Sequence, residues 1–79
     1  MRIDKFLKVS RVLKRRTLAH DACESGKIKV NGKDAKPGHK VAVGDIVEVE
    51  FTGGTLKFRI LEIREVVKKD DASSLYELI

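Results

Sequence analysis

The chain has no tryptophan, and among its 79 residues there is one cysteine, one proline, one methionine and one tyrosine. Each scarcity excludes something. The lone Cys23 cannot close an internal disulfide, which fits a reducing compartment and leaves the fold to its core. His20 and Cys23 lie three apart on a helical pattern, but no second Cys/His pair completes a closed zinc site, so no metal is expected. Three Phe and one Tyr are too few, and too well placed in apolar stripes, to build a sheet that stacks nucleobases. No apolar run approaches the roughly 20 residues that span a bilayer. Charges at positions 2, 4, 5 and 8 interrupt anything like a secretory leader, and the expected location is the cytoplasm.

Catalytic signatures are missing as well. There is no Gly-x-Ser-x-Gly, no phosphate loop and no paired carboxylates on a recognisable scaffold; Gly53-Gly54 belongs to a hairpin. A single domain of this length buries only about 60% of the surface its unfolded chain exposes, which leaves little depth for a substrate cavity. A non-enzyme without cofactor is expected.

Positive charge is what the chain has in excess. Residues 1–40 hold twelve Lys/Arg against four Asp/Glu, whereas residues 41–79 hold five against eight. A molecule with one basic end suits a polyanionic partner, nucleic acid before membrane. A merely solvated lysine-rich surface would not explain why the acids are segregated too.

The hydrophobic period divides the chain. Ile3, Phe6 and Leu7 predict a helix over 2–9, with Arg2, Lys5 and Lys8 on another face. Leu18, Ala19, Ala22 and Cys23 predict a second helix over 17–25, with Thr17 as N-cap and Gly26 as a left-handed C-terminal stop. From Lys27 the period changes to two. Ile28 and Val30 lead into Asn31-Gly32, a type I′ hairpin signal, and Lys36-Pro37-Gly38 marks a loop. Val41 and Val43 alternate into Gly44-Asp45; Val47, Val49 and Phe51 alternate with Glu48 and Glu50; a Gly53-Gly54 hairpin leads into Leu56, Phe58 and Ile60. Leu61 and Ile63 fall out of phase, which predicts a bulge near 60–61. Ser74 and Glu77 have capping-box spacing. The expectation is an α+β fold of two N-terminal helices followed by an antiparallel sheet of four or five strands. Residues 1–64 would form the domain, and 65–79 a tail, docked or partly frayed.

The cations concentrate around the junction of the helices: Arg2, Lys5 and Lys8 on the first, then Arg11, Lys14, Arg15 and Arg16 before the second. The N-terminus of the second helix adds unpaired N–H groups and its positive dipole end there. Arginine grips phosphate in a bidentate fork, so these seven residues form a candidate phosphate-binding face. RNA is favoured over DNA, because Asp21 and Glu24 stand where a DNA-reading helix would carry base-contacting groups.

Arg2-Ile3-Asp4-Lys5-Phe6-Leu7, Ser10-Arg11, Arg16-Thr17-Leu18-Ala19 and Gly26-Lys27-Ile28-Lys29-Val30-Asn31-Gly32 together resemble the S4 RNA-binding domain family over residues 2 to about 50. Ile3 replaces the family's usual Leu. The chain is similar to the small stand-alone S4 proteins of bacteria that act on the large ribosomal subunit. One branch is the heat-shock S4 protein; the other serves ribosome-associated quality control. The uninterrupted Lys8–Ala19 stretch and the lack of a long basic C-terminal extension favour the second. The resemblance implies an S4-type fold and contacts to ribosomal RNA and peptidyl-tRNA on obstructed subunits. It also implies support for a factor that extends stalled chains with alanine. The family's key arginines fall on Arg2 and Arg16, matching surface positions on Lys5, Arg11 and Lys14, and Arg15 matches one branch only. Asp4 is expected to orient a neighbouring arginine rather than meet phosphate. A monomer is expected. General recycling or assembly of the large subunit is the alternative output. A second alternative is a protein adaptor using an acidic sheet of Glu48, Glu50 and Glu62.

Overall fold

In the computed structural model, which describes residues 1–79, Ile3, Phe6 and Leu7 form the fully buried stripe of helix α1 (Ile3–Val9). The helix stops at Ser10, and Arg11 follows in the left-handed region at φ 61°. Helix α2 spans Arg16–Glu24 rather than 17–25, and Thr17 is not its N-cap. Arg15 holds that position in extended conformation, and no side chain caps the first turn. The earlier start makes Arg16 the first helical residue and puts it within reach of Asp4 on α1. Ala19 and Cys23 are buried against the core, whereas Leu18 is exposed, outside the stripe expected for it.

Gly26 ends α2 as expected. At φ +73° it lets its own N–H donate to the Cys23 carbonyl (3.1 Å), while the Lys27 N–H donates to that of Ala22 (2.9 Å). That is a Schellman closure, which satisfies two carbonyls the helix leaves unpaired.

Five strands follow: β1 (Ile28–Val30), β2 (Lys33–Asp34), β3 (Ile46–Phe51), β4 (Gly54–Ile60) and β5 (Tyr76–Leu78). They form one antiparallel sheet of order β2-β1-β3-β4-β5. Asn31 at φ 53° and Gly32 at φ 83° make the type I′ turn between β1 and β2. Residues 41–43 are not a strand. Val41 is buried with its N–H bonded to the Met1 carbonyl (2.9 Å), but Val43 is exposed in a turn. The Asp45 carboxylate takes the backbone N–H of Ala42 (2.9 Å) and the Asn31 amide (3.1 Å), which stabilises the turn instead of a ladder.

The expected bulge is present: the N–H groups of Leu61 and Glu62 both point to the Leu75 carbonyl, at 2.8 and 3.2 Å. Residues Lys69–Leu75 form a 3-10 helix, and the chain then returns as β5 along β4. The Ser74–Glu77 capping box does not form. Ser74 Oγ donates to the Asp71 carbonyl (2.6 Å), and Glu77 lies in β5 with its carboxylate on Arg59 (2.7 Å). Strand pairing outweighs a cap that would serve a single turn.

The two helices cover one face of the sheet. Phe6 of α1 stacks on Phe58 of β4 with centroids 6.3 Å apart, and Tyr76 of β5 meets Phe58 at 5.0 Å. Val47, Val49 and Ile60 complete the layer, so the alternation read from β3 and β4 is the burial pattern, except for Phe51, exposed at the hairpin tip.

Burial pushes the Cys23 thiol up from 9.0 to about 11, with the charges of Asp4 and Glu24 adding to it. The folded protein keeps this proton through the pH where the unfolded thiol ionises, so the contribution to stability is intact below pH 9.0 and is lost on approach to about 11. Iodoacetamide labelling of Cys23 at pH 8 is expected to run at least about 100-fold slower in the native protein than in urea, the two-unit deficit in thiolate. Equal rates would refute the burial.

Candidate nucleic-acid interface

Asp4 is a buried carboxylate in the first turn of α1, with 3% of its side chain exposed. Its Oδ1 accepts the Lys5 backbone N–H at 2.8 Å. From solvent, Arg2 Nη2 donates to Oδ2 at 3.1 Å, and Arg16 Nη2 lies 3.4 Å from Oδ1. Both arginines stay about half exposed, at 49% and 47%, so one face of each guanidinium is free while the other is held. Asp4 therefore orients arginines, as expected of it, and it orients two from two different helices. Burying a carboxylate this deeply is costly unless its oxygens are paired, which makes the bracket structural as well as electrostatic.

The loop carrying Lys36-Pro37-Gly38-His39-Lys40 lies against the same corner. The Ile3 N–H donates to the His39 carbonyl (2.7 Å), the Asp4 N–H to that of Pro37 (3.4 Å), and Arg2 forms a β-bridge with Lys40. A side chain at Gly38 would meet the Arg2 guanidinium at 3.9–4.0 Å. Lys36, His39 and Lys40 are exposed here and thus join the arginine face. They were not among the candidates read from the sequence. Two lysines in a loop signal charge, but nothing in their spacing connects that loop to α1.

The other cations gather elsewhere. Lys8, Arg11 and Lys14 line a groove of about 310 Å³ together with Val9, Glu65, Val66 and Val67. Lys5 is ion-paired with Glu65, whose carboxylate is held below the usual range by the Lys5 hydrogen bond and charge. Arg15, the N-cap of α2, is exposed and unpaired. Five of the seven cations therefore form two contact groups, an Arg2–Asp4–Arg16 bracket and a Lys8–Arg11–Lys14 groove, and Arg15 belongs to neither. Lys5 is tied to the groove through Glu65.

The outer face of the sheet is not an acidic surface. Glu48 stands opposite Lys29 and Lys57 in register, with Lys57 Nζ at 3.7 Å; Glu62 is bonded to Arg64 at 2.6 Å and Glu77 to Arg59 at 2.7 Å. No helix is long and apolar enough to cross a membrane.

A two-helix layer that presents half-held arginines and a group of unpaired cations, on a sheet whose own charges cancel, defines a small polyanion-binding α+β module. The chain belongs to the S4 domain family, whose model matches residues 1–47. It is 50% identical over 99% of its length to the RQC P-site tRNA stabilizing factor of Halalkalibacterium halodurans, covering 89% of that protein. The heat shock protein 15 homolog of Aeromonas salmonicida is 37% identical over 98% of this chain, but only 59% of that protein is covered. The trimeric structure of Vibrio cholerae heat shock protein 15 superposes with a TM-score of 0.93 at 30% identity, over the whole of this chain and 81% of that one. The α+β, S4-type architecture expected from the residues is thus the observed one.

Asp4→Asn separates positioning from charge. It adds one positive unit to a net charge of +5 and keeps an oxygen for the Lys5 amide, but it weakens both arginine contacts. RNA affinity is expected to fall about fivefold, the weight of one charge-assisted hydrogen bond, while the protein stays folded by circular dichroism. If total charge were what mattered, affinity would rise instead.

Proposed function

We propose that the protein is a non-enzymatic RNA-binding factor of the large ribosomal subunit that acts on obstructed subunits in ribosome-associated quality control. It contacts rRNA and the peptidyl-tRNA left on the subunit, and so supports C-terminal alanine tailing of the stalled chain by a partner factor. The observation that carries the reading is the Arg2–Asp4–Arg16 bracket, two guanidiniums fixed at one side and open at the other. Similarity to a factor named for stabilising the P-site tRNA supports RNA as the partner of that bracket. A guanidinium held in place loses little further entropy on meeting phosphate, so its affinity comes without a large ordering cost.

In this reading Arg2 and Arg16 grip the backbone, Lys5, Lys8, Arg11 and Lys14 extend the contact, and Arg15 flanks it. No residue performs chemistry and no cofactor takes part; the protein works in the cytoplasm as a monomer. The pairing of Glu48 with Lys57 and of Glu62 with Arg64 leaves Glu50 alone of the three acids of an adaptor reading without a cation, which disfavours that role.

Two measurements test this. Arg2→Ala and Arg16→Ala should each abolish co-sedimentation with large subunits carrying peptidyl-tRNA while the protein stays folded by circular dichroism at the assay temperature, since the other arginine still pairs Asp4. Undiminished binding in both variants would remove the bracket from the interface. With about six phosphates engaged, log K against log salt should fall with a slope of roughly −4 to −5. A slope near zero would mean that phosphate contacts are not the source of affinity.

A further inference from the structure

Val66 is the most exposed of the protein's large hydrophobic side chains, at 88%, and it lies on a wall of the cationic groove. Lys8, Val9, Arg11 and Lys14 line that groove from α1 and the connection after it, and Glu65, Val66 and Val67 line it from the segment after β4. We propose that the groove receives one unpaired nucleotide of RNA, with its phosphate on Lys8, Arg11 and Lys14 and the face of its base against Val66 and Val9. The inference rests on the RNA-binding reading and adds to it which part of an RNA this second group of cations takes.

Four observations lead there. The three cations have no ion-pair partner, because the only carboxylate lining the groove, Glu65, is bonded to Lys5. Arg11 sits in the left-handed region at φ 61°, where glycine would be the unstrained choice, so a cationic side chain is kept there against local preference. The groove also carries aliphatic surface from Val9, Val66 and Val67, and Val66, at 88% exposure, adds little to the core. A double helix keeps the faces of its bases stacked inside and would leave those valines unused, whereas an unstacked base offers them an apolar face. The volume of about 310 Å³ is at the small end of the ~300–1,000 Å³ range of small-molecule sites, enough for one nucleotide and too small for a duplex.

Fluorescence anisotropy on the full chain tests the assignment with two labelled RNAs. One is a short stem with a single bulged adenosine; the other is the same stem with an abasic ribose at the bulge, which keeps the phosphate and removes the base. The abasic probe is expected to bind wild-type protein roughly fivefold or more weakly, as loss of a stacked base would require. In Val66→Ser, which leaves all charges in place at an exposed position, the difference should shrink to within about twofold. Arg2→Ala should weaken both probes and keep the difference between them. The groove assignment is overturned if wild-type protein binds both probes equally, or if Val66→Ser retains the full difference. Failure of wild-type protein to bind either RNA would overturn the RNA-binding reading, and this inference with it.

Discussion

One buried carboxylate sets the geometry of the basic face. Asp4 sits in the first turn of α1, enclosed by protein, and the cost of burying it is offset because guanidiniums from Arg2 and Arg16 reach it. The requirement runs in both directions. The carboxylate needs the arginines to offset its lost hydration, and the arginines take their orientation from the carboxylate. Since Arg16 opens α2, the contact also fixes how the second helix meets the first. A repulsive cluster of like charges at a helix junction thereby becomes an arranged surface.

The rest of the molecule keeps other charge away from that surface. Glu48 and Glu77 on the sheet are matched with Lys57 and Arg59, and Glu62 beyond β4 with Arg64, so these three acids are neutralised locally. Glu65 instead crosses to α1 and pairs with Lys5 at the edge of the groove. An exposed pair of this kind is worth little to the fold. Its position matters more, since it occupies the one carboxylate of the groove and leaves Lys8, Arg11 and Lys14 without competition.

Much of the fold was legible in the residues because local preference and burial agree. Gly26 closes α2 where its lack of a Cβ allows a positive φ, Asn31-Gly32 turns the first hairpin, and the alternation in β3 and β4 becomes the inward face of the sheet. Sequence reasoning failed where a distant partner decided the outcome. Thr17 has the chemistry of an N-cap, but α2 begins one residue earlier, where Arg16 meets Asp4. Val43 has the spacing of a strand, but the Asp45 carboxylate holds a turn there. Ser74 and Glu77 have the spacing of a cap, but β4 offers Glu77 a ladder and an arginine.

The seven cations, the core stripes and the α+β order are properties of the sequence itself. Residue type and period fix them before any long-range contact forms. Three things belong to the tertiary structure: the sorting of the cations into a bracket and a groove, the arrival of Lys36, His39 and Lys40 beside Arg2, and the placement of Val66 in one groove with Lys8 and Arg11. Each joins segments far apart in the chain through backbone hydrogen bonds, ion pairs and packing. Local periodicity records which face a side chain takes on its own element, and only the folded chain records which face of another element it meets.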